Sequence, residues 1–587
     1  MSYFDDASLV MIPSGYKDQK VYSVKPIDGS GDLTFSRGSD IEATRVASNG
    51  YIEKAKVNLL LQSNTFSNAS WSKVNVTATG GQAGYDGSND AWLIEGTGSS
   101  VFSYLLQSDG TASVKTRSVY AKAGTVPYLG IWGAGSNLGY FDLSDGSLDS
   151  ISGSFAITHS ITSVGGGWYR CEFTTTGSAA NVYLVPSSTA NGTILSAGEN
   201  IYIQDAQLNY GLVAQEYQET TTTTVVTGIT NDMPRLDYSG GASCPSLLLE
   251  PSRTNVVEYS EYFDIYTKNN ATITNNDSLS PEGLINAASI AGDGTTNSHY
   301  IYRNSGTAVS GTDYTISFFA KKGSLDYVQI VMGSTAFGVL HQNFDLANGT
   351  IGSSSGSVTP FIEAYTDNWY RVGITITATA SATITPFIAL ANSSTMLRLA
   401  SFATSSDIKI YGLQVEAGAY PASYIPTYGT SATRTVDAMN TTFSTAFDTS
   451  SGGTAFFYMS GIADGAAGDS QIPFRVRKDA GNYVGIGISG AAWRTRITTS
   501  SAGTITDISS ISYTDDAKIA ISWSSSGYSI YVNGASEDTN TTDISDIDEI
   551  TDFFSSLNDN RGAHGMKQFI LFPSKLTDAQ LAELTTL

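Results

Sequence analysis

The chain resembles itself, and this constrains its fold more than any other property of the sequence. Asn58-Leu59-Leu60-Leu61-Gln62-Ser63-Asn64-Thr65-Phe66, followed by Trp71-Ser72-Lys73, returns roughly 200 residues on as Asn255-Val256-Val257-Glu258-Tyr259-Ser260-Glu261-Tyr262-Phe263, followed by Tyr266-Thr267-Lys268. Four further matches keep the same order: Ser118 to Gly124 with Ser317 to Gly323, Phe141-Asp142-Leu143 with Phe344-Asp345-Leu346, Trp168-Tyr169-Arg170 with Trp369-Tyr370-Arg371, and Ile203 to Leu208 with Ile410 to Val415. Two tandem units of one fold are therefore expected. Each is about 160 to 180 residues long, the size of a jelly-roll sandwich of eight or more strands.

The strand reading agrees. Thr315 to Ala320 and Tyr370 to Ile376 alternate between faces as half-buried antiparallel strands do. Gly, Ser and Thr are abundant, charged residues make up only 14%, and 33 Tyr and 24 Phe outnumber 7 Trp, a balance that suits many short strands and tight turns. After Tyr428 the repeat stops. Ala455 to Met459, Tyr483 to Ile488, Lys518 to Trp523 and Tyr528 to Val532 predict a third sandwich. Within it Asn533-Gly534 marks a hairpin, and Thr577 caps a short helix with Leu576, Leu581 and Leu584 on one face. The expected architecture is all-β: a segment 1–56, a sandwich 57–219, an extended connector 220–246 through Thr220 to Val226, a second sandwich 247–430, and a third over 431–587. The segment to Lys56 reads equally as a docking arm or as the opening strands of the first sandwich.

A net charge of -23 argues against nucleic acid or an anionic membrane as partner. No apolar run is long enough to span a bilayer, and Asp5 and Asp6 stand where a signal peptide needs basic residues, so an export signal is not expected. With only Cys171 and Cys244, neither a disulfide framework nor a Cys/His metal knot is expected. His159, His299, His341 and His564 are scattered, Gly165-Gly166-Gly167 lacks a phosphate-loop pattern, and no nucleophile elbow stands out. The expectation is a protein that is not an enzyme, although a glycosidase carboxylate pair is set in three dimensions and leaves no mark in sequence.

Trp168, Trp369 and Trp493, with Arg170 and Arg371, are the candidate carbohydrate-binding residues. An aromatic face stacks on a sugar ring, while Trp168 and Trp369, each opening a strand, read first as core packing. Asp142, Asp145 and Asp345 lie in Asp-Gly or Asn-Gly turns that would offer calcium carboxylates and carbonyls, or serve as plain acidic turns.

Asp6 to Lys17, Leu33 to Arg37 with Ala43 to Val46, and the repeated Asn-Leu-Leu-Leu-Gln-Ser and Arg-Thr-Asn-Val-Val-Glu-Tyr-Ser segments resemble tailed-bacteriophage virion proteins of the head-fibre, spike or tail-fibre type. The middle modules look like carbohydrate-binding-module sandwiches. The C-terminal part, through Ile519 to Gly534 and Phe569 to Leu584, is similar to the laminin-G/concanavalin-A-like superfamily. The resemblance implies a fibre or spike made in the host bacterial cytoplasm and displayed on the virion surface. It would attach to capsid or tail proteins through the N-terminal segment, adhere to host or environmental glycans, and assemble as a homo-oligomer, a trimer rather than a dimer. A decoration protein without a ligand, and a polysaccharide depolymerase, are the alternatives.

Overall fold

The computed structural model describes residues 3–17, 19–98, 101–108, 112–133, 137–177, 181–333, 335–460, 471–489, 492–512, 515–555 and 564–586. The chain is nearly all β, in tandem sandwiches. In the first, one six-stranded sheet runs Ala156–Gly165, Trp168–Thr175, Lys115–Ala123, Asn200–Tyr210, Ala91–Gly96, Val76–Gln82. The other runs Ser147–Ser152, Leu138–Asp142, Tyr128–Trp132, Asn181–Ser187, Tyr104–Ser108, Ser72–Val74. Leu129, Ile131, Phe141, Phe173, Leu184 and Ile203 fill the space between them.

The second sandwich repeats both strand orders, its sheets running from Thr359–Ala364 to Ala271–Leu279 and from Thr350–Ser355 to Thr267–Asn269. The likeness extends to single hydrogen bonds. Asn58 donates to the carbonyls of Ala206 and Gln218 as Asn255 does to those of Leu413 and Ile425, and Ser63 pairs with Tyr217 at 2.7 Å as Ser260 does with Tyr424 at 2.8 Å. Each long central pairing is interrupted by a bulge at the same place, with Asp205 at φ 55° and Gly412 at φ 63°. The sequence motifs that repeat are thus the fixed points of the fold.

The third sandwich is assembled from three separate stretches of chain. The strand His564–Phe572 is flanked by Gly453–Ser460 on one side and, on the other, by Ser246–Leu249 and Leu9–Met11, with Leu9 opposite Leu571 and Leu247 opposite Met566. The facing nine-stranded sheet begins with Tyr16–Lys17, Lys20–Val21 and Leu33–Ser36 before Ala438–Asp448 joins at Phe35 and Met439. Leu9, Met11, Val21, Leu33, Phe35, Leu236, Leu247 and Leu249 all lie in the same core as Trp493, Trp523 and Phe569. Leu33-Thr34-Phe35-Ser36 shows why: its apolar residues alternate, so one face is buried and the other exposed.

This corrects the expected layout. Residues 9–36 are neither a free docking arm nor the opening of the first sandwich, and the third unit does not start afresh at 431. The two repeated sandwiches are insertions between strands of the third, one leaving after Ser36 and returning at Arg235, the other leaving after Leu249 and returning at Ala438. Within the expected connector 220–246, Val225–Thr227 pairs with Lys56–Asn58, while Arg235–Asp237 belongs to the third sandwich and Ser239–Gly241 is a 3-10 turn. The Asn533-Gly534 hairpin and the Thr577 cap with Gln580 form as expected.

All four junctions meet in one buried ion network. Arg37 contacts Asp437 at 3.3 Å, Arg235 bridges Asp437 and Glu250, the latter at 2.7 Å, and Arg434 reaches Glu250 at 3.0 Å. None of these side chains is more than 2% exposed. Burial opposes the Glu250 charge, but Arg434, Arg235 and hydrogen bonds from Ser423 outweigh it and hold the carboxyl well below its usual range. A second lock pins the hairpin formed by Thr44–Val46 and Ile52–Lys54 onto the second sandwich. Lys54 contacts Glu261 at 2.9 Å and also Glu282, beside the Tyr411 hydroxyl, while Ile52 packs with Phe319, Trp369 and Tyr411.

Candidate functional site

The tryptophans named from sequence are core residues. Trp369 is fully buried and donates to the Leu279 carbonyl at 3.1 Å, Trp493 donates to that of Asp515 at 3.2 Å from inside the third core, and Trp168 is 3% exposed beside Tyr85. None presents a ring face to a sugar. Arg170 and Arg371 do matching structural work: Arg170 bonds the Gln215 carbonyl and Ser118, and Arg371 bonds the Ala422 carbonyl at 2.7 Å and Ser317. Arg371 also lines a cleft of about 900 Å³, with Arg45, Asp237 and Glu363, where the Lys54 hairpin meets the second sandwich.

The acidic turns are occupied by their own backbone. Asp142 accepts from Ser144, Asp145 from Ser147, and Asp345 from Ala347 and Asn348, at 2.8 to 3.0 Å. Among the described residues no three His, Cys, Asp or Glu side chains cluster as a metal ligand set. The three carboxylates thus close their own turns.

An aromatic face lies elsewhere. In the sheet containing Tyr128–Trp132, alternation sends Leu129 and Ile131 inward, so Tyr128, Gly130 and Trp132 face out. Trp132 stands opposite Tyr183, and Gly130 opposite Tyr140. The lack of a side chain at Gly130 is required, because a Cβ there would sit 2.7 Å from the Trp132 Nε1 and 3.0 Å from the Tyr140 ring. Phe102, 39% exposed, stacks on Trp132 with centroids 5.4 Å apart, and Tyr104 closes the cluster at 4.6 Å from Phe102 and 5.2 Å from Tyr183.

The Trp132 indole N–H is buried and faces the Tyr140 hydroxyl. At the rim Asp149 accepts from the Asn191 backbone at 3.2 Å. Burial raises the Tyr140 hydroxyl pKa, against the Trp132 indole N–H, and the Asp149 charge adds to the rise. The Asp142 charge, followed by burial, raises that of Tyr128. The face is thus hydrophobic in the middle with acceptors at one edge.

The same face of the second sandwich keeps aromatics at two of these places, Tyr300 at that of Tyr104 and Phe387 at that of Tyr183, but is closed beside them. Gln329 and Asn343 occupy the positions of Gly130 and Tyr140, bond each other at 2.8 Å, and hold a loop across the sheet through the Met396 carbonyl at 2.7 Å and the Leu399 N–H at 2.9 Å. That loop, between Pro386–Ala391 and Phe402–Ala403, is longer than its counterpart between Asn181–Ser187 and Ile194–Leu195. Sequence comparison of the two copies passes over this site, because the site is where they differ.

No protein-family description matches the chain, and no curated protein matches it significantly. Among solved structures, similarity is found to the binding domain of Paraclostridial Mosquitocidal Protein 1 (14% identity, TM-score 0.21, 25% of this chain and 40% of that one). It is also found to the Ruminococcus gnavus IT-sialidase CBM40 bound to alpha2,3 sialyllactose (13% identity, TM-score 0.19, 25% and 96%) and to the LG1-3 region of the laminin alpha2 chain (11% identity, TM-score 0.16, 80% and 95%). The chain spans less than half of the first of these.

Proposed function

We propose that the protein is a glycan-binding adhesin whose ligand lies on the open aromatic face of the first sandwich, with the second sandwich serving as a closed spacer. The observation that carries this reading is the contrast between the two copies. One exposes Phe102 over Trp132, with Tyr104 and Tyr183 beside it; the other keeps Tyr300 and Phe387 at the places of Tyr104 and Tyr183 but has Val331 and Asn343 where Trp132 and Tyr140 stand, under its own loop. Flat rings offer stacking area to the C–H face of a sugar, and rim groups such as Asp149 and Asn191 accept or donate to its hydroxyls.

The setting proposed is the surface of a tailed-bacteriophage particle, as a fibre or spike, supported by the resemblance of the Leu33 to Val46 and Asn58 to Ser63 segments. Because residues 9–36 are used within a folded sandwich, attachment would run through that sandwich rather than a free arm. Trimeric display would add avidity without stronger contacts.

The test is a glycan array probed with the full chain and with Gly130→Val, whose side chain forces Trp132 and Tyr140 out of register. Selective glycan retention by the wild type, lost in the variant, is expected. Retention that survives Gly130→Val, or none by either protein, would overturn the assignment and leave the architectural reading.

A further inference from the structure

The outer face of the nine-stranded sheet carries four arginines from two strands. In Gln471–Arg477, Phe474 and Val476 point into the core, so Arg475 and Arg477 point outward; in Ala492–Thr499, Trp493 and Ile497 point in, so Arg494 and Arg496 point out. The strand between them, Tyr483–Ser489, places Gly485 opposite both Arg475 and Arg496, and Gly487 opposite Arg494. The result is a trough with a glycine floor and guanidinium walls about 10 Å apart, two interstrand steps. Tyr483 and Phe554 line it: Arg475 lies 4.9 Å from the Tyr483 ring, and Arg477 lies 4.5 Å from that of Phe554.

The charge here is poorly balanced. Arg477 has Asp552 at 3.3 Å, but among the described residues Arg494 has no hydrogen bond or ion pair, and its Nε and Nη1, like Nε of Arg496, are buried without partners. Burial and then the neighbouring Arg496 depress the Arg494 pKa. Tyr483 reports the same field. Burial pushes its hydroxyl up, yet hydrogen bonds from Thr498 and Arg496 and the charges of Arg475 and Arg496 bring it below its usual value. In a chain with 31 Lys and Arg against 54 Asp and Glu, four arginines on one face are a local reversal of sign.

We propose that Arg475, Arg494 and Arg496 form a second binding site, on the third sandwich, for the carboxylate or sulfate groups of an acidic polysaccharide. Guanidinium groups bind such oxyanions with paired N–H donors, and the aromatic lining suits sugar rings between the charged groups. A polysaccharide fits better than a duplex because its charges are spaced by whole sugar rings, so a few can meet the guanidinium groups while the acidic remainder of the surface repels a densely charged backbone. The site is independent of the aromatic face of the first sandwich.

The test measures binding of the full chain, wild type and Arg494→Gln/Arg496→Gln, to polygalacturonate, dextran sulfate, uncharged dextran, sodium sulfate and a single-stranded oligonucleotide. Expected are binding to one or both acidic polymers and not to dextran, weakening as salt rises, and a loss of about tenfold or more in the double variant as charge-assisted hydrogen bonds disappear. Gly130→Val should leave this binding unchanged, which separates its failure from failure of the adhesin site. Arg494 has no partner to lose among the described residues, whereas Arg496 gives up its bond to Tyr483, so Arg494→Gln alone should melt with the wild type and the double variant is compared with it. If the double variant melts early, wild-type binding that does not weaken with salt refutes the proposal. Wild-type dextran binding as tight as that of the acidic polymers, a double variant within about twofold of wild type, free sulfate bound as tightly as the polymers, or preference for the oligonucleotide would each overturn it.

Discussion

Glu250→Gln tests the network at the neck where the two inserted sandwiches leave the third. The substitution keeps shape and removes one negative charge from a cluster of three arginines and two carboxylates, losing contacts of 2.7 Å to Arg235 and 3.0 Å to Arg434. Glu250 also accepts from the Ser423 N–H at 2.8 Å and hydroxyl at 2.6 Å, so an amide NH₂ must face another donor whichever way it turns. Breaking a buried pair by removing one partner costs about 3–5 kcal/mol, because the remaining charge stays buried and uncompensated. Urea unfolding of the full chain at pH 7 should show a loss of that size.

The pH dependence has a definite sign. The folded pKa of Glu250 is depressed, so its contribution is complete above the unfolded value of about 4.3 and is lost as pH falls below that toward the folded value, by up to about 1.4 kcal/mol per pH unit. The gap between wild type and variant should therefore be constant from pH 7 to pH 5 and narrow toward pH 3. A loss below about 1 kcal/mol, or the same gap at pH 3 as at pH 7, would refute the claim that this carboxylate is an ionised, buried counter-charge.

At the second lock, Lys54→Met leaves Glu261 and Glu282 buried without their cation. Burial already raises the Glu261 pKa and the substitution raises it further, so the penalty grows as pH rises through it: melting should fall most at pH 8 and recover toward pH 5. The isolated fragment 431–587 should fail to fold, as read by near-ultraviolet circular dichroism. It lacks eight core side chains from residues 9–36 and 236–249, each worth about 1.5–3 kcal/mol of burial, a sum of about 12–24 kcal/mol that matches or exceeds a domain's net stability of roughly 5–15 kcal/mol. Adding those strands in trans should restore structure.

The repeated sandwiches were legible because their shared motifs are shared contacts: Asn58 and Asn255, Ser63 and Ser260, Arg170 and Arg371 each satisfy the same buried groups in both copies. The Trp168 and Trp369 motif misled for the same reason, since what both copies keep is what holds the fold. The aromatic face was hidden because Phe102, Trp132, Tyr140 and Tyr183 come from separate strands, and although Phe387 answers Tyr183 in the second copy, Val331 and Asn343 stand where Trp132 and Tyr140 do. The discontinuous third sandwich was hidden because a pairing such as Leu9 with Leu571 leaves no local pattern. One signal was present: Arg37, Glu250 and Asp437 each stand one step outside a strand of the third sandwich and Arg235 opens one, places where a charge is normally avoided unless it is paired.

The neck also sets an order of events during synthesis. The strands Leu9–Met11 and Leu33–Ser36 emerge first, yet their partners Ala438–Asp448 and His564–Phe572 are made last, so they wait with unpaired edges while two complete sandwiches form between them. Such edges are templates for pairing with a neighbouring nascent chain. For chains made side by side on one message, this interval is when exchange of N-terminal strands between copies competes with closure of each molecule on itself.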